Sequence, residues 1–121
     1  NTIVNGGYDF ICAALGSSTR PAAMEYIGVG SGSTANTMTM TQLVTQIARV
    51  KGTYSHTAGT KFFTLKATFG PGTGTGTIRE LAMFNALSGG TMFDRVVIGT
   101  VTKEAGDTYN ATFQFAFEEV E

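Results

Sequence analysis

Between Lys61 and Ala86 the chain alternates, breaks on glycine and proline, and alternates again. That order fits antiparallel sheet and little else. In Lys61-Phe62-Phe63-Thr64-Leu65-Lys66-Ala67-Thr68-Phe69, residues Phe63, Leu65, Ala67 and Phe69 share one face, and Phe62, Thr64, Lys66 and Thr68 share the other, because successive strand side chains point to opposite sides. The first face is expected to be core and the second wet. Through Gly70-Pro71-Gly72-Thr73-Gly74-Thr75-Gly76, Pro71 removes a ladder donor and the glycines permit positive φ, so pairing must stop there. The return arm, Thr77 to Ala86, is apolar on both sides: Ile78, Ala82, Phe84 and Ala86 on one, Leu81 and Met83 on the other. Such a strand belongs inside a sheet covered on both faces. The two arms read as a hairpin onto which the other segments stack.

The flanking segments extend the pattern. Tyr109, Ala111, Phe113, Phe115 and Phe117 form an inward set against Asn110, Thr112, Gln114 and Glu118, the clearest alternation in the chain. Thr91 to Ile98 reads as a strand with Met92, Val96 and Ile98 opposite Phe93, Arg95 and Val97, entered through the tight turn Leu87-Ser88-Gly89-Gly90. Asp94 and Arg95 are adjacent there, so they face opposite ways and do not form an automatic ion pair. Gly99 to Asp107 reads as a polar link, and Ile47 to Thr57 and Met24 to Val29 as further strands. Near the start the period changes. Tyr8, Ile11, Cys12 and Leu15 mark one stripe of a short helix from Gly7 to Leu15, with Asp9 in its first turn and Gly16 at its stop. The expected fold is all-β, an antiparallel sandwich of jelly-roll type with seven or eight strands and one short N-terminal helix. Residues 1–6 are expected to form an extended arm and residues 7–121 a single sandwich domain.

Composition narrows the function classes. Net charge is −1 with the basic residues scattered, which leaves no electrostatic footprint for nucleic acid or an anionic membrane. No apolar run reaches the roughly 18 residues of a spanning helix. A single cysteine, Cys12, excludes an internal disulfide and suits a reducing compartment. The chain opens on Asn1 rather than methionine, as a processed or internal segment would.

Catalytic signals are weak. Gly28-Val29-Gly30-Ser31-Gly32-Ser33 invites a phosphate-cradle reading, but the spacing is not that of a dinucleotide fingerprint and no long amphipathic helix follows. The one histidine, His56, has no acidic or thiol neighbour at a recognisable spacing, and Glu118 with Glu119, or Glu25 with Glu80, are the only carboxylate pairs worth weighing as acid and base. No enzymatic activity, cofactor or metal site is expected. The Thr and Met-rich segment Ala35 to Gln46, with a half turn of helix expected around Gln42 to Val44, carries Met38 and Met40 as adaptable contact residues, or as cover for the sandwich edge. With Thr2, Ile3 and Val4 of the arm, these are the candidate partner-binding residues.

Several pieces taken together resemble a known group. They are Ile3-Val4-Asn5-Gly6-Gly7 opening a helix; Tyr26-Ile27-Gly28-Val29-Gly30-Ser31-Gly32; Ala67-Thr68-Phe69-Gly70 with Gly74-Thr75-Gly76-Thr77-Ile78-Arg79-Glu80 and Leu81-Ala82-Met83-Phe84-Asn85-Ala86; and Gly90-Thr91-Met92-Phe93-Asp94-Arg95-Val96-Val97 with Val101-Thr102-Lys103. Over nearly the whole chain they resemble small virion proteins of tailed bacteriophages, among them capsid decoration (cement) proteins and tail- or fibre-associated domains. The resemblance implies a structural role on the capsid exterior, made in the host bacterial cytoplasm. It also implies the major capsid protein as partner and self-association as a homotrimer; the β-branched Thr2, Ile3 and Val4 add the expectation that residues 1–5 pair by strand addition with a sheet edge of the shell or of a neighbouring copy. A tail, baseplate or fibre adaptor is the competing reading. A sugar-binding sandwich using Tyr54, His56 or Tyr109 is the third.

Overall fold

The computed structural model describes residues 1–118. In chain order it contains β1 (Thr2–Ile3), α1 (Asn5–Gly16), β2 (Tyr26–Gly30), β3 (Gln46–Lys51), β4 (Thr53–Ser55), β5 (Phe62–Phe69), β6 (Gly76–Phe84), β7 (Met92–Lys103) and β8 (Tyr109–Ala116). The strands form two antiparallel sheets, one ordered β1-β7-β6-β2-β3 and the other β4-β5-β8. The described residues therefore form an all-β sandwich with one helix.

The interior follows the alternation of β5 and β8. Leu65, Ala67 and Phe69 from β5 and Ala111 and Phe113 from β8 are buried against Ile27, Val29, Leu81, Met83 and Phe93 of the larger sheet. Phe115 stacks on Phe63 and Phe113 at 5.6 and 5.9 Å between ring centroids and meets Phe93 edge-on at 5.2 Å, offset and perpendicular geometries that aromatic quadrupoles favour. Phe117 breaks the expected pattern. It lies past the end of β8 and is 62% exposed.

The arms around the 70–76 loop are not a hairpin. β5 pairs with β4 and β8, while β6 pairs with β2 and β7. The loop is an arch between layers, with φ of 80°, 73° and 136° at Gly72, Gly74 and Gly76. It is tied to the β7–β8 connection through the Gly72 N–H to the Ala105 carbonyl (2.8 Å) and Lys103 Nζ to the Gly70 carbonyl (3.0 Å). β6 does sit inside a sheet, covered on both faces, and the Leu87–Gly90 turn does return the chain antiparallel into β7. That strand runs on through the segment read as a polar link, to Lys103.

Two register shifts in the β6–β7 ladder reassign faces. Phe93 is an extra residue between the pairs Phe84 with Met92 and Met83 with Asp94. Bulges of this kind reverse the alternation, so Met92 faces outward with Phe84 while Phe93 enters the main core. The second shift, between Ile78 and Glu80, accompanies the placement of Ile78 in the main core rather than with Ala82 and Phe84. The Ile47–Thr57 strand is split at Gly52, where the chain passes from one sheet to the other. A β-carbon there would lie 2.6 Å from the Lys66 carbonyl oxygen.

Residues 1–6 are not a free arm. Thr2 and Ile3 pair with Arg95 and Asp94 along the outer side of β7, Val4 is fully buried, and the helix begins at Asn5. The strand tendency of the β-branched residues is thus met within the chain. Asp9 consequently falls outside the first helical turn. The docked face of α1 also differs from the expected stripe. Gly7 is buried and Phe10, Ile11 and Ala14 are half-buried, whereas Tyr8, Cys12 and Leu15 are exposed. Gly7 sets this face, because a β-carbon there would lie 2.1 Å from the Phe93 carbonyl oxygen. Gly7→Ala should therefore cost about 1–3 kcal/mol by overpacking, although alanine is by about 1 kcal/mol the better helix former. Gly16→Ala has nothing within 4 Å of the new carbon and should leave the urea midpoint unchanged or slightly raised. Equal midpoints for the two variants would contradict this account.

Candidate functional site

The outer face of the five-stranded sheet carries the most organised polar chemistry in the protein. β2 lies beside β6 with Gly28 opposite Ala82 and Gly30 opposite Glu80, so two positions on that face of β2 are bare backbone. The chain after β2 folds back over this bare strip. A β-carbon at Gly30 would stand 2.4 Å from the Thr45 carbonyl oxygen and 2.6 Å from Glu80 Oε2, and one at Gly32 would stand 2.4 Å from Val44 Cβ. The Gly-x-Gly-x-Gly run therefore serves close packing of a loop on a sheet.

Glu80 and Arg95 fill the space so created. Both side chains are fully buried, and Arg95 Nε donates to Glu80 Oε1 at 2.8 Å. Glu80 Oε1 also accepts the Val44 N–H at 2.9 Å, and Oε2 accepts the N–H groups of Gly32 and Thr45 at 2.8 and 2.9 Å. Burial alone drives the Glu80 carboxyl upward, but the Thr45, Val44 and Gly32 amides and Arg95 reverse this and hold it below the ordinary carboxylate range. Arg95 Nη1 donates to the Thr34 carbonyl and Asn36 Oδ1, each at 2.7 Å, and Asn36 Nδ2 returns to the Arg95 carbonyl at 3.1 Å and Thr2 Oγ1 at 3.2 Å. The expected half turn at Gln42 to Val44 is absent; the Val44 and Thr45 amides bond Glu80 instead. Beside the pair, Val4, Leu43, Ala82, Phe84 and Met92 form a second small core. Arg49 covers it, with its guanidinium carbon 3.4 Å from the Phe84 ring centroid and Nη1 on the Ala86 and Gly89 carbonyls.

Asp94 points the other way, on the face of its register partners Ile3 and Met83. It is completely buried, and neither carboxylate oxygen makes a hydrogen bond of normal geometry to any described residue. Burial pushes its carboxyl up to about 7, against a weaker pull from the Met83 amide.

The remaining candidates do not converge. Met38 is 42% exposed and its carbonyl accepts the Asn5 N–H, whereas Met40 packs on the second core with its sulfur 3.7 Å from Arg95 Nη1. Thr2, Ile3 and Val4 are engaged in the fold as described. Glu25 pairs with Lys51 on the surface at 3.6 Å and lies beyond the opposite end of β2 from the Glu80 contact. Glu119 lies outside the described residues. His56 Nδ1 donates to the Phe62 carbonyl at 2.7 Å, and Tyr54 and Tyr109 sit on strands at opposite edges of the smaller sheet, so no shared rim unites these three. A cleft of about 330 Å³ between α1 and the β4–β5 end is lined by apolar side chains including Phe10, Met24, Tyr54, Phe63 and Phe117. Among the described residues no three His, Cys, Asp or Glu side chains are placed to hold a metal ion. No protein-family description and no curated protein matches this chain.

Proposed function

We propose that this protein is a structural component of a tailed-bacteriophage particle, a cement that binds the outside of the major capsid protein shell and stiffens it. The observation that carries the reading is what the charged residues of the resembling segments do. Glu80 and Arg95, from the Ile78-Arg79-Glu80 and Asp94-Arg95 stretches, are spent on fixing the 31–36 and 43–45 loops. Those motifs then mark a rigid framework, as a particle component requires, rather than a reacting centre. The work falls to outer surfaces and strand edges, which suits repeated contacts with a shell. Quantitative mass spectrometry of purified particles, with electron microscopy to locate the protein, tests this. Hundreds of copies on the capsid support it, a few to dozens on the tail transfer the protein to the adaptor class, and absence from particles ends the reading.

A further inference from the structure

The smaller sheet ends in an edge that lacks the usual protection. β8 pairs with β5 over eight uninterrupted positions, Phe62 with Ala116 through Phe69 with Tyr109, and its other side has no strand partner among the described residues. The Phe117 N–H donates to the Lys61 carbonyl, so ladder alternation commits the odd-numbered residues to β5. It turns the N–H and C=O of Asn110, Thr112 and Gln114 toward the open side. Long edges are normally blunted by charge, proline, a bulge or brevity. β1 and β4 are short and β3 carries Arg49 and Lys51, whereas Tyr109–Ala116 contains no charge, no proline, no glycine and no register break. The interior is also open along this seam. A cleft of about 210 Å³ between β7 and β8 is lined by Leu81, Val96, Ile98, Ala111 and Phe113 among others.

We propose that β8 pairs antiparallel with β8 of a second copy of this chain about a twofold axis at Thr112, joining two three-stranded sheets into one of six strands. In that register Thr112 faces the partner's Thr112 and Asn110 faces the partner's Gln114. Hydroxyl and amide groups then meet on the outer face, and the apolar residues line up across the seam. A twofold sets each edge against itself, so a charge near the axis would oppose its own copy, and β8 carries none. A closed threefold ring would need β8 to match a different edge, and β1, β3 and β4 differ from it in charge or length. The assembly is therefore twofold where the resemblance implies a trimer, and it stands whether or not the particle reading does.

Sedimentation equilibrium of the purified chain over a concentration series should give twice the 12.7 kDa chain mass; a monomer throughout, or a trimer, overturns the proposal. Thr112→Lys and Thr112→Glu, each at an exposed position, should keep the monomer folded and raise the dimer dissociation constant by about a hundredfold through like-charge opposition. Mixing the two should restore a dimer. Dimers that persist in both variants, or a mixture that stays monomeric, refute the pairing. Should either variant fail to fold, amide exchange of wild-type Asn110, Thr112 and Gln114 decides the same question. Protection that appears with concentration supports the pairing, and free exchange at every concentration excludes it.

Discussion

Replacing Glu80 with alanine is expected to cost about 3–5 kcal/mol, the range for breaking a buried ion pair from one side. A small domain has only about 5–15 kcal/mol in total, so this single change approaches unfolding. Arg95 would keep a buried guanidinium whose Nε partner is gone, and the N–H groups of Gly32, Val44 and Thr45 would lose their acceptor in a space too tight for easy rehydration. The loss should appear as a lower urea midpoint and as fast exchange at those three amides, with β5 and β8 still protected. Arg95→Met should be comparably damaging. The double variant Glu80→Leu/Arg95→Met should cost well below the sum of the single changes, because no unpaired charge remains. Additive single effects would show that the pair is not the unit holding the loops.

Asp94 should make the protein less stable as pH rises from about 4 to about 7. Its folded pKa of about 7 lies above the ordinary value of 3.8, so between those limits the folded state binds more protons than the unfolded one. The stability held at low pH is lost as pH climbs through 7, and the full effect is on the order of 4 kcal/mol. Glu80 works in the opposite sense in a separate window. Its pKa is lowered on folding, so its contribution is present above the ordinary carboxylate range and disappears only in stronger acid. Asp94→Asn should therefore flatten the stability curve between pH 4.5 and 8. At pH 8 it should raise stability by about 1–3 kcal/mol, after allowing for the unmet hydrogen bonds of a buried amide. Parallel curves for the variant and the parent would rule out Asp94 as the source.

The periodicity of β5 and β8, the two-sided burial of β6 and the Gly89-Gly90 turn were all legible, because each depends on side chains within one strand. What depended on pairing was not. Glycines and Pro71 announce that the chain turns at 70–76, but not whether it returns to the same sheet or crosses to the other. Phe93 looks like an ordinary member of an alternating run, and only the β6 register reveals it as an insertion. The helix was read from the spacing of Tyr8, Ile11, Cys12 and Leu15, whereas its orientation follows from its buried glycine, Gly7, whose role appears only against the Phe93 carbonyl. The Glu80–Arg95 centre had one signal in advance: glycines at Gly28 and Gly30 leave one face of a strand bare. Which carboxylate and which loop would occupy that face could not be read without knowing that β2 lies beside β6.

The split of neighbouring arms between two layers has a consequence for biogenesis. β5 completes its ladder only with β8, and β1 only with β7, pairing Thr2 with Arg95 across most of the chain. Closing such distant segments carries its loop entropy before any contact rewards it, which puts folding in the milliseconds-to-seconds class. A nascent chain that has not yet emerged from the ribosome through Ala116 holds Leu65 and Phe69 without their cover, so this domain acquires its native interior only once β8 has been released.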